Sequence, residues 1–265
     1  MCRLAGYVGV PRTLDALLYE PARSLHEQAY APREQVHGTV NVDGTGVAWW
    51  PDHGPGPLRY ATTLPPWSDD NLRELAPALR ARAMIAAVRG ATFGVAGGRG
   101  AVAPFVLNGL AIAHNGWLGD FRQSVGPRLV ADLDPHWVAR LETFSDSLLI
   151  ALHLACRRQP DVSLSDTVAA TVRHIATICR ELRQPATLNL LVSDGRQLVA
   201  TRASVDSPYN SLYTLTDGDA PWSDGALIAS EPLDDQPWQP VLPDHLVEVS
   251  QGSYGSQRLG LGPSG

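Results

Sequence analysis

The sequence predicts an α+β fold in which two antiparallel β-sheets are covered by helices. Three observations carry this reading. Strand-like segments lie near both ends of the chain, from Arg3 onward and up to Ser250. Between them stand two long amphipathic helical patterns, Ser145 to Arg158 and Leu164 to Arg183. No internal repeat and no dividing linker interrupts this order, so residues 1–265 are expected to form a single domain, with a loosely ordered tail from about Gln251.

Taken in order, Arg3 to Val10 reads as a strand that pins the start of the chain in a sheet. Thr13 to Tyr30 predicts short helices broken at Pro21. Thr39 to Trp50 is strand-like around the turn Asp43-Gly44, and Leu58 to Thr63 is a further strand. Asp70 to Arg82 reads as a helix opened by Asp69 or Asp70. Met84 to Arg89 is an apolar run suited to a buried strand. The loop Thr92 to Ala103 contains Gly97-Gly98-Arg99-Gly100, which lacks the Lys and the following Ser or Thr of a phosphate-binding loop. Pro104 to His114 holds two strand pieces around Asn108-Gly109, a hairpin signal. Leu148, Leu149, Leu152 and Ala155 recur at helical spacing, as do Val168, Val172, Ile175 and Ile178. Strands follow at Thr187 to Val192, Gln197 to Arg202, Leu212 to Leu215, Ala226 to Ser230 and Leu246 to Ser250.

Composition narrows the function classes. The chain has 265 residues, 44% of them hydrophobic, enough for a sizeable core. Its net charge of −6, with both signs mixed along the chain, argues against a nucleic-acid partner. No apolar run is long enough to span a bilayer and no basic n-region precedes an apolar one, so a cytoplasmic location without membrane partners is expected. All 21 basic residues are arginine, which excludes Schiff-base and pyridoxal chemistry and a Walker-type loop. The cysteines are Cys2, Cys156 and Cys179, with no CxxC pair, and the eight histidines show no metal-ligand spacing on a helix. Neither a metal nor a cofactor is expected.

Four segments carry chemistry. Cys2 follows Met1, and loss of Met1 leaves a cysteine with both a thiol and a free α-amine. Unperturbed pKa values of ~8.5 and ~7.7–8 lie close enough for the amine to take the thiol proton and return it to a leaving group. Arg89 ends a buried strand, where a guanidinium needs an anion, either a substrate carboxylate or an internal Asp. In His114-Asn115-Gly116-Trp117, the Asn-Gly pair forms either a turn or an oxyanion hole built from an Asn side-chain N–H and a Gly backbone N–H. Phe144-Ser145-Asp146-Ser147 opens a helix, so Ser145 or Asp146 serves as its cap, or Asp146 meets a cationic substrate group.

These segments, in this order with Cys2, resemble the glutaminase domain of the class II glutamine amidotransferases, members of the N-terminal nucleophile hydrolase superfamily. The resemblance implies an αββα sandwich and cleavage of a γ-glutamyl amide through a cysteine thioester, without a cofactor. It makes Cys2 the nucleophile and amine base, Arg89 and Thr92 the holders of the α-carboxylate, Asn115 and Gly116 the oxyanion donors, and Asp146 the partner of the α-ammonium. A closer resemblance runs through Gln28-Ala29-Tyr30-Ala31-Pro32-Arg33, Val40-Asn41-Val42-Asp43-Gly44, Leu190-Leu191-Val192-Ser193-Asp194-Gly195 and Ala229-Ser230-Glu231-Pro232-Leu233-Asp234. These segments are similar to those of the ergothioneine-biosynthesis amidohydrolases, which release glutamate from γ-glutamyl-hercynylcysteine sulfoxide. Departures fall at Leu4, Thr45, Gly90 and Phe93 and concern the leaving-group side of the pocket. A trimethylammonium leaving group calls for aromatic faces, with Trp49, Trp50, Trp117 and Tyr30 as candidates.

Overall fold

Alternation along the first strand sets the architecture. In β1 (Arg3–Thr13), Leu4 and Val8 enter one hydrophobic cluster while Ala5 and Tyr7 enter another. Its neighbour β4 (Arg80–Val88) divides in the same way, with Ala83, Ile85 and Ala87 on one side and Met84, Ala86 and Val88 on the other. Side chains two apart share a face, so both faces of this sheet are buried. The computed structural model describes residues 2–36, 38–51, 54, 56–91 and 97–261.

The first sheet is antiparallel. On one side of β1 lie β4, β2 (Thr45–Trp49) and β3 (Leu58–Thr62); on the other lie β11 (Gly225–Ala229), β10 (Tyr213–Leu215) and β12 (Gln239–Pro240). The second sheet runs in the order β14 (Ser253–Arg258), β13 (His245–Ser250), β8 (Leu198–Arg202), β7 (Ala186–Ser193), β6 (Leu110–Leu118) and β5 (Phe105–Leu107), with β9 (Ser204–Val205) also on β7. The short helices α1 (Asp15–Leu18), α2 (Leu25–Tyr30) and α3 (Asp70–Leu75) bury Leu17, Leu25 and Leu72 against the outer face of the first sheet. After α4 (Gly126–Ala131) and α5 (Pro135–Val138), the long helices α6 (Asp146–Arg157) and α7 (Leu164–Glu181) cover the second sheet. The layers are therefore helix, sheet, sheet, helix, the αββα sandwich.

At Gly6 the two sheets meet closely. A Cβ there would lie 3.1 Å from Leu191 and 3.2 Å from Leu198 of the facing sheet, so the bare backbone of β1 makes room for two leucines.

Local signals acted as expected at several boundaries. Asn108 and Gly109 take φ of 49° and 75° and close the β5–β6 hairpin. Asp69 caps α3, accepting the Leu72 N–H at 3.1 Å, and Ser145 caps α6, accepting the Leu148 N–H at 3.3 Å. Three expectations need correction. The helix from Asp70 ends at Leu75, because Pro77 cannot continue it, and Arg80 to Arg82 belong to β4. Residues 39–44 are not strand: the Asn41 and Asp43 N–H groups donate to Ala29 C=O and Arg89 C=O instead. The stretch from Gln251, expected as a loose tail, forms β14 on β13 after a turn at Gly252. Its side chains from Ser253 to Arg258 are all exposed, so backbone pairing orders a segment with no apolar pattern to reveal it. Helices α4 and α5 were not foreseen, and residues 92–96 of the predicted glycine-rich loop lie outside the described residues. Among the described residues, no helix is long and apolar enough to cross a membrane.

His153 on α6 is wholly buried; its Nε2–H donates to Leu129 C=O at 2.9 Å, and its Nδ1 lies 2.8 Å from Arg157 Nη1. Burial, with the adjacent Arg157 charge, pushes its pKa down to about 4. The folded value lies below the unfolded value of ~6.5, so this residue's contribution is complete above pH ~6.5 and lost as pH falls toward 4. We expect unfolding free energy to drop across that window by up to roughly 3 kcal/mol from this group. Urea titrations of wild type and His153→Gln should show a smaller pH slope in the variant.

Candidate active site

Cys2 stands directly before β1, partly exposed. The ladder of β1 with β11 pairs Ala5 with Ala229 and continues one step further, with Ser230 N–H donating to Leu4 C=O at 2.8 Å. The next step places Arg3 opposite Glu231. Arg3 is wholly buried, and its Nη1 meets Glu231 Oε1 at 3.1 Å. Desolvation lowers the Arg3 pKa and the Glu231 charge opposes that shift. The same carboxylate accepts the N–H groups of Arg33 at 2.9 Å and Glu34 at 3.1 Å, tying the loop after α2 to the start of β1.

Arg89 follows β4 and is buried. Its N–H donates to Gly44 C=O at 2.8 Å, Asp43 N–H donates to Arg89 C=O at 2.9 Å, and Asp43 Oδ2 accepts the Ala91 N–H at 2.7 Å. The Val40-Asn41-Val42-Asp43-Gly44 segment is thus a brace for the turn that presents Arg89. Thr92, the other expected carboxylate holder, lies outside the described residues.

Asn115 and Gly116 do not make a turn. They lie within β6, paired with Asn189 and Leu188 of β7. Asn115 is fully buried with its carboxamide oriented from both ends: Nδ2 donates to Ser230 Oγ at 3.3 Å, and Asn210 Nδ2 donates to Asn115 C=O at 3.0 Å and to Oδ1 at 3.4 Å. A Cβ at Gly116 would fall 1.9 Å from the Thr187 carbonyl oxygen and 2.4 Å from His114 Nε2, so only glycine fits.

Asp146 opens α6 immediately after its Ser145 cap. Asp146 Oδ1 accepts the Ser147 N–H at 2.7 Å. Ser147 Oγ lies 3.2 Å from that oxygen and 3.0 Å from His114 Nδ1. His114 Nε2 lies 2.9 Å from Thr187 C=O and must carry the proton, since a carbonyl only accepts. Burial lowers the His114 pKa, opposed by the nearby Asp146 charge. With the proton on Nε2, His114 Nδ1 is an acceptor, and both it and Asp146 Oδ1 lie within reach of the Ser147 hydroxyl hydrogen.

These elements converge on a small, partly open cleft lined by Cys2, Arg89, Gly116 and Asp146, with Gly90 and Ser147 beside them. A thiol, a guanidinium and a carboxylate in one recess suit a zwitterionic amino-acid group presented to a nucleophile. Among the described residues, no group of His, Cys, Asp or Glu is placed to hold a metal ion. Trp117 shares β6 with Asn115 but does not line this cleft. Trp49 packs against the outer core, Trp50 against the inter-sheet core, and Tyr30 stacks edge-on against Trp67 at 5.8 Å. Leu4 is buried in the inter-sheet cluster, and Thr45 is buried with its hydroxyl on Leu64 C=O at 2.9 Å, so neither departure reaches the cleft. Sequence reasoning quoted His114, Ser230 and Glu231 within motifs but assigned them no task; their only signal was membership of those motifs.

Fold and cleft define the class: the chain belongs to the class II glutamine amidotransferases, a family that matches residues 22–259. Among curated relatives, it is 35% identical over 250 residues to the gamma-glutamyl-hercynylcysteine sulfoxide hydrolase of Mycolicibacterium smegmatis, covering 94% of this chain and 96% of that protein. It is 32% identical over 252 residues to the protein of the same name from Mycobacterium tuberculosis, covering 95% and 94%. Among solved structures, a glutamine aminotransferase class-II domain protein from Silicibacter pomeroyi aligns with a TM-score of 0.68 at 20% identity, over 97% of this chain and 99% of that one. Glutamine phosphoribosylpyrophosphate amidotransferase from B. subtilis aligns with a TM-score of 0.68 at 17% identity, over 97% of this chain and 49% of that one. Both structural likenesses concern the fold.

Removing the Glu231 carboxylate leaves a buried guanidinium without its counter-charge and two loop N–H groups without an acceptor. Glu231→Ala should lose about 3–5 kcal/mol of stability, measured by urea unfolding, with Glu231→Gln losing less because an amide oxygen still accepts.

Proposed function

We propose that this chain hydrolyses the γ-glutamyl amide of γ-glutamyl-hercynylcysteine sulfoxide, releasing glutamate and hercynylcysteine sulfoxide. The observation that carries the reading is the convergence of Cys2, Arg89, Gly116 and Asp146 on one cleft. The near full-length similarity to hydrolases of that name supports the choice of substrate.

In this reading the whole chain acts as one glutaminase-type domain in the cytoplasm. Loss of Met1 frees the Cys2 amine, which takes the thiol proton. The sulfur adds to the γ-carbonyl carbon, and the resulting oxyanion receives N–H groups from the Asn115 side chain and the Gly116 backbone. The carboxamide has a second Nδ2 hydrogen to give while the first stays on Ser230. Arg89 holds the glutamyl α-carboxylate and Asp146 the α-ammonium, which fixes the γ-carbon over the thiol. Thr92 is a further carboxylate partner in this assignment. The C–N bond breaks as the Cys2 ammonium protonates the departing nitrogen. Water then adds to the thioester, glutamate leaves, and the thiol is restored.

The reading is tested by glutamate release from γ-glutamyl-hercynylcysteine sulfoxide, with glutamine and γ-glutamylcysteine in parallel, using protein whose N-terminal mass has been verified. Turnover of the first compound, lost at least ~10³-fold in Cys2→Ala, is the expected result. Turnover of another amide alone moves the substrate, and silence on all three from processed protein overturns the enzyme reading.

A further inference from the structure

The Ala229-Ser230-Glu231 segment ties the start of β1 to the facing sheet. Ser230 is fully buried at the end of β11, opposite Leu4, the second residue after Cys2. Its Oγ accepts two N–H groups from the two different sheets: Leu4 N–H at 3.1 Å from the strand behind Cys2, and Asn115 Nδ2–H at 3.3 Å from β6. Its own N–H donates to Leu4 C=O at 2.8 Å, so Ser230 grips both backbone groups of Leu4. One hydroxyl thereby spans the sandwich between the strand that carries Cys2 and the side chain assigned to the oxyanion.

The orientation of Asn115 depends on that hydroxyl. A carboxamide rotates about its last torsion over a broad range, and only its hydrogen-bond partners choose which end is N–H and which is C=O. Here Asn210 donates on the oxygen side and Ser230 accepts on the nitrogen side. Without the Ser230 acceptor, the group on the oxygen side offers the Asn115 NH₂ nothing, because Asn210 Nδ2 is itself a donor. Catalysis by an oxyanion donor rests on its being held in place before charge develops, so a donor that must be reoriented loses transition-state stabilisation and leaves ground-state binding intact.

We propose that Ser230 is a positioning residue for acyl transfer, fixing the Asn115 carboxamide relative to Cys2 through one hydroxyl shared by the two sheets. This rests on the assignment of Cys2 and Asn115 in the proposed function. The opposite face of the first sheet supplies the second half of the clamp, since Glu231, the next residue, fixes Arg3 between Cys2 and Leu4.

The experiment is a double-mutant cycle with Ser230→Ala and Asn115→Ala, read by steady-state glutamate release from γ-glutamyl-hercynylcysteine sulfoxide, or from glutamine if only that is turned over. Ser230→Ala should lower kcat about 10–100-fold with KM within about 2-fold, and Ser230→Thr, which keeps the hydroxyl, should recover most of the loss. In the Asn115→Ala background, Ser230→Ala should cost less than about 3-fold more, because the group it positions is gone. A kcat within 2-fold of wild type in Ser230→Ala overturns the proposal, as do losses that multiply independently with Asn115→Ala. If Ser230→Ala does not fold, Ser230→Thr and Ser230→Cys carry the comparison: Cys, a weak acceptor, should lose kcat where Thr does not, and equal kcat in both overturns the proposal. A processed wild-type protein that releases glutamate from neither compound overturns the reading on which the proposal stands, and is distinguished from these outcomes by being seen before any variant is made.

Discussion

The arrangement depends on the burial of the Arg3–Glu231 ion pair at the junction of β1 and β11. A guanidinium with no exposure is costly to place, and its retention demands a carboxylate held to it by further hydrogen bonds. The backbone N–H groups of Arg33 and Glu34 supply them. Their effect is to lock the first residues of β1 into the middle of a seven-stranded sheet and to bind the loop after α2 to the same point. Cys2, one residue earlier, inherits a fixed position without being buried itself. Arg89 reaches the cleft because Val88, just before it, pairs with Arg3 on the neighbouring strand, and Ser230 reaches Asn115 because its side chain points to the face opposite that of Glu231.

Much of the fold was legible because the layers impose regular patterns. The two long helices declared themselves by apolar spacing, and the β5–β6 hairpin by Asn108-Gly109. The miscalled pieces share a physical cause. β14 is ordered by backbone pairing with all its side chains outward, and in residues 39–44 the N–H groups of Asn41 and Asp43 go to the end of α2 and to Arg89 rather than to a strand. Helix propensity through Leu79 yielded to Pro77 and to the demand of β4 for Arg80 to Arg82.

The site was legible as residues and not as geometry. Asn115-Gly116 reads equally as a turn; pairing with β7 decides against it, and the Thr187 carbonyl, not catalysis alone, demands the glycine. Ser145-Asp146 reads equally as a cap, and the structure gives the cap to Ser145 while both residues line the cleft. His114, Ser147, Ser230 and Glu231 hydrogen-bond to other side chains, and such contacts leave no spacing rule in a sequence. The aromatic residues show the converse: nearness to motifs in sequence did not bring Trp49, Trp50, Trp117 or Tyr30 to the described cleft.

The central claim is that Cys2 receives the γ-glutamyl group. The most direct measurement is peptide mass spectrometry of protein acid-quenched during turnover of γ-glutamyl-hercynylcysteine sulfoxide. The account predicts a hydroxylamine-labile γ-glutamyl adduct on a first peptide that begins at Cys2. Glutamate release with the adduct on Cys156 or Cys179, or from protein that retains Met1 throughout, would contradict it.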